Sequence, residues 1–129
     1  MEKVDDLRKG LNKSDKTSMV ISEPDEIAWL FNMRGEGESI VDSLMVSPLF
    51  QSLALVTLDS LTLWIHKEKI NDEIRNHLIQ DNCSENNICV VIEGYSNATT
   101  DLRKWALVQE KVSTIYIENV HWHVRIYIK

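Results

Sequence analysis

Two cysteines, Cys83 and Cys89 in Cys83-Ser-Glu-Asn-Asn-Ile-Cys89, have a spacing at which side chains could do chemistry. A bridge between them would close a seven-residue loop. The chain-entropy model gives such a loop roughly 2 kcal/mol in an oxidising compartment. The same pair could be half of a zinc site, but a thiolate pair needs two more ligands and the flanking sequence supplies none, so of these two the disulfide is the better reading. Two unrelated thiols are the remaining alternative. His121 and His123 lie in an alternating segment, where both rings project from one face of a strand, near enough to share a metal ion. No third ligand can be named beside them, and exposed strand histidines are ordinarily only solvated. Arg34 offers a planar fork to a carboxylate of a ligand or of another domain, or serves as a surface arginine at the end of a helix. Gly35 and Gly37 follow it, but a phosphate loop needs a third glycine and a preceding strand, and neither is present. Asn12, Asn82 and Asn97 head N-x-S/T sequons in polar surroundings and are candidate glycosylation sites. No His-Glu-x-x-His or Gly-x-Ser-x-Gly occurs, so spacing alone yields no active site and no cofactor for this chain.

The elements that must position these residues fit in one domain. A chain of 129 residues builds a single core and hides about two-thirds of the surface its unfolded form exposes. Its 14 basic and 20 acidic residues leave a net charge of −6, which repels a phosphate backbone, so nucleic acid is excluded as a partner. No apolar run approaches the ~18 residues that cross a bilayer, which excludes direct membrane insertion. The opening Met1-Glu-Lys-Val-Asp-Asp lacks the apolar stretch of a signal peptide. The cysteine pair and the sequons nevertheless suggest a secretory origin, and the chain then reads as an internal piece of something longer.

Val4, Leu7 and Leu11 recur at helical spacing, predicting an amphipathic helix over 2–11 that ends near Gly10. Thr17 to Ile21 is a short β-rich run, and Ser22 ahead of Pro24 signals a helix from Asp25 to Asn32. A long loop runs from Gly35 to Pro48. Leu53 and Leu55, the turn Asp59-Ser60, then Leu61, Leu63 and Ile65 alternating with Thr62 and Trp64, predict a β-hairpin. Ile70, Ile74 and Leu78 return to helical spacing. Ile88 to Ile92 is fully apolar, as a strand buried on both faces is. A helix over 98–109, a strand over 112–117 and an alternating strand over 120–128 complete the pattern. Trp29, Trp64 and Trp105 sit on apolar faces and are expected in the core. The fold class is α/β, a mixed sheet of five to six strands flanked by helices.

The segment Ser22-Glu-Pro-Asp-Glu-Ile-Ala-Trp-Leu-Phe-Asn-Met-Arg-Gly35 resembles, nearly residue for residue, the helix-to-loop signature in the second domain of three-domain Xaa-Pro aminopeptidases. The likeness resumes at Ser47-Pro-Leu-Phe50 and through Ala54-Leu-Val-Thr-Leu-Asp-Ser-Leu-Thr-Leu63, similar to the family's hairpin, and more loosely through Lys69 to Arg75. Cys83 to Cys89 followed by Val90-Val-Ile-Glu-Gly-Tyr95 is similar to the membrane-bound or secreted branch, which carries a cysteine pair before an equivalent strand.

The resemblance implies a creatinase-N-terminal-like, non-catalytic domain over 1–117, serving as a scaffold in an enzyme that removes the N-terminal residue from peptides with proline second. In that family two manganese or zinc ions sit in a C-terminal pita-bread domain that nothing here matches, so no catalytic or metal residue carries over. The implied partners are that catalytic domain, the first domain of the parent, and a second copy joined through the missing domain. The implied location is secreted or cell-surface. Two stretches depart from the family: Glu36 to Val46 is about five residues longer than its loop by comparison with the resembled pattern, and residues 118–129 read as a divergent C-terminal strand, truncated or misjoined. A free-standing interaction module using the Gly35 to Pro48 loop is the alternative function, for which no enzyme activity is expected.

Overall fold

The structure is a computed structural model, and it describes residues 2–35, 49–80, 90–108 and 115–117. Helix α1 spans Glu2–Lys13, with Glu2 and Asp5 in its first turn and Lys13 in its last, the polarity that suits the helix dipole. It buries Val4 and Leu11 and packs Leu7 against the core. The helix does not stop at Gly10 as expected. It continues through that exposed glycine and closes at Asp15, whose φ of 54° lies in the left-handed region, with the Lys16 N–H bonded to the Leu11 carbonyl at 2.9 Å.

Strand β1 (Ser18–Ile21) leads into α2, Pro24–Phe31. Its N-cap is Glu23 without a side-chain cap bond, one residue on from the Ser22 that the sequence suggested. Proline stands in the first turn, where its missing N–H costs nothing. At the other end Asn32 adopts φ 51°, ψ 48°, and the Met33 N–H closes on the Ala28 carbonyl at 2.9 Å.

The remaining described strands and α-helices are β2 (Ser52–Thr57), β3 (Leu61–Ile65), α3 (Asp72–Gln80), β4 (Val90–Gly94), α4 (Ala98–Val108) and β5 (Ile115–Ile117). The five described strands form one mixed sheet in the order β4-β3-β2-β1-β5. β2 is antiparallel to β1 and β3, while β4 lies parallel to β3 and β5 parallel to β1. The expected sheet and its flanking helices are therefore present.

Strand alternation divides the core in two. Ile21, Ala54, Val56, Leu61, Leu63, Ile65 and Val90 join Val4 of α1, Ile27, Leu30 and Phe31 of α2, and Leu78 of α3 in one cluster. The opposite parity, Val20, Leu55 and Trp64, packs under Ala98 and Leu102 of α4, with Leu53 and Trp105 at its margin. Three helices thus pack on one face and one on the other among the described residues. The apolar run of β4 was expected to be buried on both faces. It is not: β4 is the last described strand at its edge, and Val91 is 47% exposed although Val90 is buried. An apolar sequence reports the strand, whereas burial depends on a helix reaching that edge, and α4 packs over β1 to β3 instead.

The β2–β3 turn is held by its own side chains and by α1. The Thr57 hydroxyl lies 2.7 Å from Asp59 Oδ1, accepts the Ser60 N–H at 2.7 Å and sits 2.6 Å from Ser60 Oγ. From α1, Arg8 Nε donates to the Thr57 carbonyl at 2.9 Å and Nη2 to the Ser60 carbonyl at 3.3 Å.

Candidate functional site

In open α/β sheets, polar groups that can meet a ligand collect where parallel strands end at their carboxyl side, because the chain leaves the ladder there. β3 and β4 are such a pair. β3 runs into His66 and a 3-10 turn at Lys67–Lys69, and β4 into a 3-10 turn at Tyr95–Asn97. The His66 ring lies 5.1 Å from the Tyr95 ring at 39°. Its Nε2 is 3.1 Å from Gln51 Oε1, just before β2, and its Nδ1 is 3.3 Å from Glu68 Oε1. Beside it Lys67 Nζ bonds to Glu93 Oε2 of β4 at 3.2 Å. Gln51 can present either its oxygen or its nitrogen to Nε2, whereas the Glu68 carboxylate only accepts, so Nδ1 is partnered by it only when that nitrogen carries the proton.

A His–Glu pair activates a nucleophile only when a hydroxyl or thiol lies within hydrogen-bond reach of the ring, and the ring's nitrogens are directed at an amide and a carboxylate. The ion pairs are partly exposed, with side-chain accessibilities of 49% for Lys67 and 40% for Glu93, so they contribute little to stability. Among the described residues no group of three or more His, Cys, Asp or Glu side chains is placed to hold a metal ion.

The residues singled out from sequence do not meet at this cluster. Arg34 is exposed beyond the C-cap of α2. Asn12 is exposed in the last turn of α1 and Asn97 in the 3-10 turn after β4. Cys83, Cys89, Asn82, His121 and His123 lie outside the described residues, as do most of the 35–48 loop and the 118–129 segment. Of the tryptophans, Trp64 is buried and Trp105 is half-buried, as expected. Trp29 is not in the core: it is 53% exposed, because the sheet takes up Ile27, Leu30 and Phe31 and leaves the position between them on the outer side of α2. Sequence reasoning missed Gln51, His66 and Tyr95. The available signal was that His66 and Tyr95 each directly follow an apolar strand, but only the parallel β3–β4 register brings them side by side.

A model of the creatinase/prolidase N-terminal domain matches residues 1–128. The probable Xaa-Pro aminopeptidase P of Sordaria macrospora is 42% identical over 80 residues, 62% of this chain and 12% of its own length. That of Chaetomium globosum is 36% identical over 112 residues, 87% of this chain and 16% of its own. The chain thus spans well under a fifth of these curated relatives. Among solved structures, an X-prolyl aminopeptidase from Caenorhabditis elegans, a cytosolic enzyme with a di-nuclear active site, superposes with TM-score 0.67 at 23% identity, covering 84% of this chain and 16% of its own. The creatinase/prolidase N-terminal domain of an X-Pro dipeptidase from Streptococcus pyogenes gives 0.52 at 20% identity, covering 96% and 86%. Both share the fold.

These relatives overturn the expectation of a secreted or cell-surface parent, since the relatives found are fungal aminopeptidases P and a cytosolic worm enzyme. The features behind that expectation were permissive and not diagnostic. Three-residue sequons arise readily in polar sequence, and two nearby cysteines remain thiols in a reducing compartment.

Proposed function

Because the chain belongs to the creatinase/prolidase N-terminal domain family, we propose that it is a non-catalytic scaffold domain of a longer cytosolic metallo-aminopeptidase that removes the N-terminal residue from peptides with proline second. The observation that carries this reading is the match of an N-terminal-domain model along residues 1–128 of a chain that spans only 12% to 16% of the aminopeptidases it resembles. The described residues offer no ligand set for the metal ions of such an enzyme. The reaction is assigned to the remainder of the parent on the ground that the relatives carry most of their length outside the part matched here. Its own contribution is mechanical: a sheet packed on both faces holds its surfaces in fixed relation, and those surfaces set how neighbouring domains approach the substrate. The partners are the catalytic domain and the first domain of the same polypeptide.

Two measurements test the reading. The folded chain, given manganese or zinc and a peptide with proline second, is expected to release no N-terminal residue. Metal-dependent release would overturn the scaffold assignment. Sequencing the locus past the Lys129 codon is expected to find the frame continuing into a metal-binding domain, whereas a stop codon there would make the chain a free-standing binding module.

A further inference from the structure

We draw no further inference here: the strongest candidate, the apolar outer edge of β4, the last described strand on its side of the sheet, with Val91 47% exposed, carries none because nothing among the described residues shows what covers it.

Discussion

The indole N–H of Trp64 donates to Asp101 Oδ2 at 2.9 Å, joining β3 near its carboxyl end to the first turn of α4. Trp64 is 2% exposed, and the bond is the polar link in an otherwise apolar contact made with Ala98 and Leu102. A buried indole N–H left without an acceptor is costly, so this pair fixes where α4 sits on the sheet. Asp101→Ala is expected to destabilise the chain by about 1–3 kcal/mol, read as a lower urea midpoint. Asp101→Asn, which keeps an oxygen acceptor, should recover most of the loss; equal effects from both variants would count against the bond.

Arg8 ties α1 to the β2–β3 turn through the Thr57 and Ser60 carbonyls. Its side chain is only 13% accessible, and Asp5 Oδ1 lies 3.8 Å from Nη1. Arg8→Ala should cost about 1–3 kcal/mol, since it removes a charged donor from two carbonyls. Arg8→Lys is expected to recover only part of that, because an ammonium cannot reproduce the fork. Denaturant titration of the three proteins compares them directly.

Gly10 lies inside α1 and not at its end, and a Cβ built on it meets nothing within 4 Å. Its φ is not positive. Gly10→Ala should therefore stabilise the chain by about 0.5–1 kcal/mol, mostly by reducing the freedom of the unfolded chain. Differential scanning calorimetry should show a melting temperature higher by a few degrees, and a decrease would mean that α1 ends where the sequence suggested.

Leu63 stands mid-strand in β3, paired with Ala54 and Ile92, and is 0% exposed under the three-helix face. Leu63→Ala leaves a cavity that close packing cannot refill and is expected to cost about 2–5 kcal/mol. Leu58→Ala, in the turn nearby and 40% exposed, should cost far less under the same urea titration.

The local elements were legible because their signals are local. Val4, Leu7 and Leu11 mark α1, and Leu61, Leu63 and Ile65 mark β3, since a side chain's face follows from counting residues along its own element. The left-handed stops at Asp15 and Asn32 were not read. Gly10 and Gly35 drew attention instead, although aspartate and asparagine also tolerate that conformation. Arg34, which the sequence offers for its planar fork, lies apart from the candidate site, beyond the end of α2. His66, Gln51 and Tyr95 were passed over because nothing in a single sequence joins residues separated by 15 and 29 positions.

The sequence by itself determined that this is an α/β domain, that it resembles the second domain of an Xaa-Pro aminopeptidase, and that no catalytic motif is spelled out along it. Only the tertiary structure decided that β4 parallels β3 and β5 parallels β1, that His66 meets Tyr95, and that Trp29 faces outward while Trp64 faces α4. The physical reason is the same in each case. Periodicity tells which side chains share a face, but an element with a tryptophan on a mixed face, as α2 has in Trp29 beside Asp25 and Glu26 and β3 has in Trp64 beside Thr62, does not encode whether a neighbour will cover that face. That choice belongs to contacts between residues far apart in the chain.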